Sequence, residues 1–242
     1  MKKLNDLNIK IFADGADLKS IKILNKRDYI KGFTTNPSLM KKAGIKDYKE
    51  FALELLVEIK NKPISFEVFS DEIEEMEKQA EEISSWGSNV NVKIPITNTR
   101  KDSTVEIIRR LSKKKIVCNI TAIFTLKQVE TIIDALDIST PAILSIFAGR
   151  IADTGMDPLK IMKNSIDLSK LKPKSEILWA STRETLNIYQ AAEIGCHIIT
   201  VPHEILKKTN YIGEDLEEFS LKTVKGFYTD AQTAGYKINF KK

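Results

Sequence analysis

Short apolar runs alternate with longer amphipathic segments along most of the chain. Apolar runs rich in β-branched residues predict strands at 9–13, 32–36, 64–69, 90–96, 116–120, 143–147, 177–180 and 198–201. Helical spacing predicts helices that include 48–60, 72–84, 103–113, 126–135, 158–169 and 185–194, with a long amphipathic helix at 213–235. Strands that alternate in this way with helical segments are typical of a parallel sheet closed into a barrel. We therefore expect an α/β protein with a single (β/α)8 TIM barrel and a C-terminal helical extension.

An open, doubly wound sheet is the structural alternative. It would normally carry a G-x-G-x-x-G turn after an early strand, but Gly15, Gly32 and Gly44 lie far apart. The 242 residues suit one large barrel, for which about 250 residues are typical. Because no linker or internal repeat divides the sequence, one domain over 1–242 is expected.

The predicted strand at 90–96 has a lysine at its centre. Val90, Val92, Ile94 and Ile96 recur at period two and predict one well-buried face. For Lys93, between them, exposure to solvent is the ordinary expectation from this stretch alone. A lysine held inside a protein instead tends toward the neutral amine, because burying an unpaired ammonium is costly. That amine is the nucleophile that forms a Schiff base with a carbonyl substrate.

Composition and charge exclude several classes of protein. Hydrophobic residues make up 42% and charged residues 29%, yet no apolar run approaches the roughly 18 residues of a membrane span. The amino terminus lacks the apolar region of a signal peptide, so we expect a cytoplasmic protein without a membrane partner. The net charge of +5 is spread along the chain and has no base-reading motif beside it, so no nucleic-acid partner is expected. A modest positive charge does suit small anionic substrates.

The cysteines and histidines do not predict a metal site. Cys118 and Cys196 lie in apolar runs without the spacing of metal ligands, and they are predicted to be buried and reduced. His197 and His203 are predicted to be structural. We expect no metal and no other cofactor.

Polar residues lie at the carboxyl ends of the predicted strands, where the active sites of such barrels are found. These residues are Asp14, Thr34, Asn36, Glu67, Lys93, Asn119, Thr121, Ser145, Arg150, Ser181 and Arg183. Taken singly, each has an ordinary alternative: Asp14 could cap a helix, Glu67 could face solvent, and Arg150 could pair with Asp153. A common functional site explains their shared position at one rim better than separate structural roles do.

Several segments match a known family in order along the chain. They are A-D-G-A-D at 13–17, F-T-T-N-P-S-L at 33–39, V-K-I-P at 92–95, C-N-I-T at 118–121, S-I-F-A-G-R at 145–150 and W-A-S-T-R at 179–183. In these segments the chain resembles the transaldolase family of class I aldolases, and in particular the compact microbial type. That family is a (β/α)8 barrel with its Schiff-base lysine on strand four, which matches Lys93. Other class I aldolases usually carry the lysine on strand six, where this chain has Ser145.

The resemblance implies a reaction on sugar phosphates. Lys93 would attack the C2 ketone of a ketose phosphate, and the iminium would act as an electron sink. Asp14 would take the proton of the C4 hydroxyl, so that the bond from C3 to C4 breaks. Glu67 would shuttle protons through a water held by Thr121. The implied setting is the pentose phosphate pathway.

The resemblance also implies substrate-binding residues. The dihydroxyacetone fragment would be bound by Asn36 and Asn119, with Ser145 at its C1 hydroxyl. The phosphate would be bound by Arg150, Ser181 and Arg183, because a guanidinium fork suits that dianion. Thr34 and Phe147 complete the predicted substrate site.

Two activities of the family remain open at this point. Fructose-6-phosphate aldolases release free dihydroxyacetone and tend to carry Gln and Tyr where this chain has Glu67 and Phe147. The present residues favour a transaldolase. Trp179 departs from the smaller residue that relatives usually have, and is expected to alter packing behind the phosphate site. The resemblance further implies a homo-oligomer.

A different class of protein, a barrel that binds sugar phosphates without turnover, remains a further alternative. It would be expected to have lost Lys93, Asp14 or Glu67, and the sequence retains all three.

Overall fold

Eight parallel strands close into a barrel in the computed structural model, which describes residues 2–240. The strands are β1 (Lys10–Asp14), β2 (Ile30–Thr34), β3 (Ile64–Glu67), β4 (Val90–Pro95), β5 (Cys118–Ile123), β6 (Ala142–Ile146), β7 (Ser175–Trp179) and β8 (Ile198–Pro202). Each strand pairs with its neighbours in chain order, and β1 pairs with β8. The predicted (β/α)8 barrel is confirmed.

Helices follow the strands on the outside of the barrel. They are α1 (Leu18–Asn25), α2 (Pro37–Lys42), α3 (Tyr48–Glu58), α4 (Ile73–Ser85), α5 (Val105–Lys113), α6 (Leu126–Ala135), α7 (Ala148–Asp153), α8 (Leu159–Ser169), α9 (Leu186–Glu193) and α10 (His203–Lys208). Most predicted helices are within two residues of these bounds. The short helices α1, α2, α7 and α10 were not among the predicted elements, because a helix of six to eight residues gives little periodic signal.

The second strand is displaced from its predicted position. It runs over Ile30–Thr34 and not over 32–36. Asn36 instead caps α2, where its side-chain oxygen accepts a hydrogen bond from the amide of Leu39 at 3.0 Å. Pro37 occupies the first turn of that helix, where its missing N–H costs nothing.

The main hydrophobic core lies between the barrel and its helices. Val92 and Ile94 of β4 point into it with no exposed surface. Inside the barrel, a smaller apolar cluster contains Phe12, Ile143, Leu178, Ala180 and Ile198. Because both faces of β4 are covered, the residues between its core positions are buried as well.

The strand register stacks inward-facing side chains in layers supplied by alternate strands. One layer comes from the even-numbered strands and contains Thr34, Lys93, Ser145 and Thr200. The layer nearer the carboxyl ends comes from the odd-numbered strands and contains Asp14, Glu67, Thr121 and Ala180. These two layers bring polar groups from all parts of the barrel sequence to one end of its interior.

Strand β5 has an irregularity at its carboxyl end. Its register with β6 shifts between Ile120 and Ile123, and Ala122 has a positive φ of 58°. Thr121 faces the barrel interior, whereas Ile123 is fully buried in the outer core. The kink therefore interrupts the inward and outward alternation just after Thr121.

By its internal contacts the chain forms two compact units, the barrel at 2–207 and a C-terminal segment at 208–240. The segment contains a 3-10 turn (Thr209–Tyr211) and the helix α11 (Leu216–Thr233), which lies within the predicted 213–235. Asp215 caps α11 by accepting hydrogen bonds from the amides of Glu217 and Glu218. The organisation as one domain over 1–242 stays a prediction.

Candidate functional site

A polar cavity of about 150 Å³ opens at the carboxyl ends of the strands. Its walls include Asp14, Thr34, Asn36, Lys93, Thr121, Ser145, Phe147, Arg150, Ser181 and Arg183. The two remaining residues of the predicted site contact members of this wall: Glu67 contacts Lys93, and Asn119 contacts Ser145. The structure thus brings the predicted residues together, while their chemical roles stay predictions.

Lys93 lies inside the barrel and does not face solvent. It is 8% exposed, and its amine is 3.1 Å from a carboxylate oxygen of Glu67. The amine also donates a hydrogen bond to the carbonyl oxygen of Thr35 at 3.2 Å. An ammonium removed from water in this way is compensated by a carboxylate and a carbonyl, and it reaches the cavity.

The backbone of Glu67 is fixed by a tyrosine. The hydroxyl of Tyr48 donates a hydrogen bond to the carbonyl of Glu67 and accepts one from its amide, both at 2.7 Å. Burial raises the pKa of Tyr48 above its ordinary value, so this hydroxyl stays protonated. The ring packs edge-on against Phe66, which anchors it to the core. These hydrogen bonds fix the backbone from which the Glu67 side chain contacts Lys93.

Asp14 lies at the end of β1, beside the cavity. The hydroxyl of Thr34 donates a hydrogen bond to its carboxylate at 2.7 Å. Burial raises the pKa of Asp14 above its ordinary value, although the positive charge of Lys93 and the Thr34 hydrogen bond oppose that rise. A carboxyl group with a raised pKa is well suited to exchange protons with a substrate.

One amide and three hydroxyls lie along or next to one part of the cavity wall. Ser145 donates to the side-chain oxygen of Asn119 at 2.6 Å, and the nitrogen of Asn119 donates to Ser65 at 2.9 Å. This chain fixes which way the Asn119 amide faces. The buried hydroxyl of Thr121 has no hydrogen-bond partner within residues 2–240, so it is available to a molecule in the cavity.

Asn36 contributes through its amide nitrogen. Its oxygen is engaged by the cap of α2, which leaves the NH2 group to face the cavity that Asn36 lines.

The cationic side of the cavity is formed by Arg150 and Arg183. The guanidinium of Arg150 lies 5.1 Å from the centre of the Phe147 ring, as in a cation–π contact. Arg183 donates from Nε to Asp153 at 3.0 Å and from a terminal nitrogen to the other oxygen of that carboxylate. The alternative pairing of Arg150 with Asp153 is thus not the one observed, because Arg183 occupies both oxygens.

The backbone around Ser181 is held close to α7. Ser181 has a positive φ of 63°, and its carbonyl oxygen lies only 1.6 Å from the position that a β-carbon on Gly149 would take. Only glycine fits at 149 without moving that loop. This close approach places Ser181 and Arg150 on the same cavity.

Thr200 is a site residue that the sequence analysis did not identify. It is 6% exposed, lines the cavity and lies 2.5 Å from Thr34, oxygen to oxygen. Its signal was available, since a threonine interrupts the apolar strand 198–201 as Lys93 interrupts strand four. Thr182 was also missed; its hydroxyl donates to the carbonyl of Thr200 at 2.7 Å.

Trp179 and the two histidines lie outside the cavity. Trp179 is 2% exposed and lines a separate cavity of about 170 Å³ that also touches Arg183. Burial lowers the pKa of both histidines. His197 accepts a hydrogen bond from the amide of Ile177 at 3.0 Å, and the ring of His203 packs against Gly15.

No group of three or more His, Cys, Asp or Glu side chains within residues 2–240 is arranged to hold a metal ion. Among the helices of this range, none has the length and apolar character needed to cross a membrane.

Comparison with known proteins gives a family match over most of the chain. The model of the family described as transaldolase/fructose-6-phosphate aldolase matches residues 11–240. A protein of Dehalococcoides mccartyi named a probable transaldolase is 35% identical over 199 residues, covering 82% of this chain and 88% of its own. A protein of a Thermoanaerobacter species with the same name is 34% identical over 231 residues, covering 95% and 100%.

A solved structure supports the fold independently. The 3-hexulose-6-phosphate synthase of Salmonella typhimurium superposes with a TM-score of 0.57 at 12% identity, covering 82% of this chain and 91% of that one. At this identity the likeness concerns the barrel alone.

Proposed function

The chain belongs to the transaldolase/fructose-6-phosphate aldolase family, and we propose that it is a transaldolase acting through a Schiff base on Lys93. It would take a dihydroxyacetone unit from a ketose phosphate, either fructose 6-phosphate or sedoheptulose 7-phosphate, and transfer it to an aldose phosphate. The pentose phosphate pathway is the corresponding setting. Sugar phosphates are then its substrates, and no metal takes part.

The ion pair between the buried Lys93 and the partly buried Glu67 is the observation that carries this proposal. The amine must lose a proton before it attacks the C2 carbonyl, and the Glu67 carboxylate at 3.1 Å is within reach to accept it. Glu67 can return that proton when the C2 hydroxyl of the carbinolamine leaves as water. The hydroxyl of Thr121 would hold a water on this route, since it lines the cavity.

Asp14 performs the next step in this scheme. Its carboxylate removes the proton of the C4 hydroxyl, the bond from C3 to C4 breaks, and its electrons pass into the iminium on Lys93. An aldose phosphate leaves, and an enamine remains on the lysine. Addition of a second aldose phosphate reverses these steps and returns the proton from Asp14 to the new C4 oxygen.

The remaining wall residues bind the substrate. Hydroxyl groups of the three-carbon unit would be bound by the amides of Asn36 and Asn119 and by the hydroxyls of Ser145 and Thr34. Arg150, Arg183 and Ser181 would bind the phosphate, with Phe147 supporting Arg150 from below.

The test is the release of glyceraldehyde 3-phosphate from fructose 6-phosphate, followed with and without erythrose 4-phosphate. We expect sustained release only when the acceptor is present. Sustained release without acceptor would identify an aldolase that frees dihydroxyacetone, the other activity in the family name.

Borohydride trapping tests the covalent step separately. Reduction in the presence of substrate should label Lys93 and not its variant Lys93→Met. Lys127→Met removes an exposed lysine of α6 and serves as the matched control. An unlabelled Lys93 would refute the Schiff-base mechanism.

We also propose that the chain assembles into a homo-oligomer. None of the residues of helix α11 (Leu216–Thr233) is buried within the single chain. Its exposed side chains include Leu216, Val224, Phe227 and Tyr228. An apolar surface of this kind is typical of a subunit interface.

A further inference from the structure

We infer that Thr200 is a positioning residue of the reaction, which acts through Thr34 to hold the Asp14 carboxylate for proton transfer. This inference rests on the proposed function, because it concerns the step that Asp14 performs there. No sequence motif assigned Thr200 a role.

The three side chains form a continuous hydrogen-bonded chain. Thr34 lies between the other two, with its oxygen 2.7 Å from a carboxylate oxygen of Asp14 and 2.5 Å from the hydroxyl of Thr200. Thr34 and Thr200 are 2% and 6% exposed, so water competes little for these bonds. Asp14, Thr34 and Thr200 all line the cavity.

The direction of these bonds follows from the number of hydrogens. An ionised carboxylate can only accept, so Thr34 must give its single hydrogen to Asp14. In the bond between the threonines, Thr34 can then only accept, so Thr200 donates to Thr34 and both bonds point toward Asp14. Bonds that run in one direction polarise each other, so Thr200 strengthens the bond that Asp14 receives.

The same chain can serve Asp14 after it has taken a proton. A protonated Asp14 donates to Thr34, which turns its hydrogen to Thr200, and the hydrogen of Thr200 turns into the cavity. Asp14 thus keeps a partner in both of its states without moving. A base that must take up and return one proton in each cycle needs this property.

Thr200 is itself rigidly held. Its carbonyl accepts a hydrogen bond from the Thr182 hydroxyl at 2.7 Å, and its strand is paired with β1 through Phe12. It occupies the same interior layer as Lys93, so its position is tied to that of the proposed nucleophile.

Other charged groups also act on Asp14 and must be held constant in any test. Lys93 of β4 favours its ionised form, whereas Glu67 of β3 and Glu204 of α10 disfavour it. Asp17 of the β1–α1 connection and His203 of α10 lie on the neighbouring cavity that Asp14 also lines. None of these groups is altered by a change at Thr200.

The test compares Thr200→Val, which keeps the branched shape and loses the hydroxyl, with Thr200→Ser, which keeps the hydroxyl. Thr140→Val is the matched control, because Thr140 is equally buried and donates to the carbonyl of Ser112 away from the site. Two quantities are measured for each variant. One is the single-turnover rate of fructose 6-phosphate cleavage against pH, and the other is borohydride trapping of free dihydroxyacetone on Lys93.

We expect Thr200→Val to slow cleavage about three- to tenfold at neutral pH, since it weakens a hydrogen bond to a charged group. Weakening the bond that Thr34 donates to the ionised carboxylate raises the pKa of Asp14, so the acidic limb of the cleavage profile should move upward by about half a pH unit. Trapping of dihydroxyacetone needs no proton transfer at C4 and should stay at the wild-type level. Thr200→Ser should restore the wild-type limb.

The outcomes separate this inference from the proposed function. If wild-type Lys93 is not trapped by any substrate, the proposed function fails and the inference fails with it. If Lys93 is trapped, and Thr200→Val has the same cleavage rate and acidic limb as Thr140→Val, the inference alone is overturned. Thr200→Ala takes the place of the valine variant should that protein not fold, with the same expected shift.

Discussion

Arg183 donates hydrogen bonds to both carboxylate oxygens of Asp153, one from its Nε at 3.0 Å and one from a terminal nitrogen. The arginine that the proposal assigns to the substrate phosphate is therefore already paired with a carboxylate. This pairing holds the pKa of Asp153 below its ordinary value. Both side chains are about half exposed, at 46% and 51%, so a phosphate can reach the same guanidinium.

We predict that Asp153→Asn binds phosphate more tightly. The carboxylate competes for Arg183 and repels the dianion, so its loss should lower the inhibition constant of inorganic phosphate by about threefold, within the range of exposed charge pairs. Competitive inhibition of the transfer reaction measures this constant. Asp167→Asn, which removes an equal charge from the remote pair with Lys170, should leave it unchanged. Equal or weaker phosphate binding by Asp153→Asn would show that Asp153 only orients Arg183.

Asp14 is predicted to lower the stability of the folded protein at neutral pH. Burial raises the pKa of Asp14 in the folded protein, so the folded protein binds this proton more tightly than the unfolded chain does. The contribution of Asp14 to the free energy of unfolding is therefore fully present at low pH, and it is lost as the pH rises through the pKa of the folded state. At neutral pH Asp14→Asn should unfold at higher denaturant concentration than the wild type, and this difference should shrink in acid.

The same variant should lose most of its activity. A positioned general base contributes about 10²- to 10⁴-fold to the rate, and asparagine cannot accept the proton. Denaturant titrations at two pH values, together with the cleavage assay, test both parts. A variant that is less stable at neutral pH and no different in acid would contradict the burial argument.

The choice between transferase and aldolase is predicted to depend on Glu67 and Phe147. Tyrosine at 147 would add a hydroxyl beside Arg150, and glutamine at 67 would remove the carboxylate charge that lies 3.1 Å from the Lys93 amine. We expect Glu67→Gln combined with Phe147→Tyr to release more free dihydroxyacetone than the parent. An enzymatic assay of dihydroxyacetone without acceptor measures it. Release no higher than that of the parent would remove these positions as the determinants.

Gly149→Ala is predicted to be strongly destabilising. The added methyl would meet the carbonyl oxygen of Ser181 at 1.6 Å, so the loop must move. We expect a loss of about 3 kcal/mol in unfolding free energy, at the upper end for overpacking, together with weaker phosphate binding. Gly226→Ala is the control, since nothing lies within 4 Å of its added methyl and α11 should gain about 0.5–1 kcal/mol. Similar effects of both variants would argue against the close approach at Ser181.

The oligomer is predicted to depend on the apolar surface of α11. Phe227 is 70% exposed, and Phe227→Asp would place a charge within that surface. Light scattering after size-exclusion chromatography should find an oligomer for the wild type and smaller species for the variant. Lys225→Asp, on the same helix, is the control for added negative charge. A monomeric wild type would refute the assembly.

The barrel could be predicted because its signal repeats. Each apolar run specifies a strand on its own, and eight of them leave few other arrangements. The bounds of the strands do not follow from the apolar pattern alone, as at β2, where the strand ends two residues before its predicted end and Asn36 caps the next helix. A cap depends on a local hydrogen bond that apolar periodicity does not reveal.

The candidate site was predictable where a polar residue breaks an apolar strand. Lys93, Asn119 and Ser145 are of this kind. The pairings between side chains at the site were not predictable in this way, since that of Arg183 with Asp153 joins residues 30 positions apart. The role of Tyr48 was equally hidden, because its hydroxyl meets the backbone of Glu67 only in the folded barrel.

The left-handed residue in β5 has a consequence for the room in the cavity. Had the strand continued its alternation beyond Asn119 and Thr121, the next inward side chain would have been Ile123. The positive φ of Ala122 turns Ile123 to the opposite side, where it is fully buried among the helices. A branched apolar group would otherwise stand directly above Thr121, in the space where the chemistry is proposed to occur. A single backbone torsion thus keeps the mouth of the barrel open to a substrate.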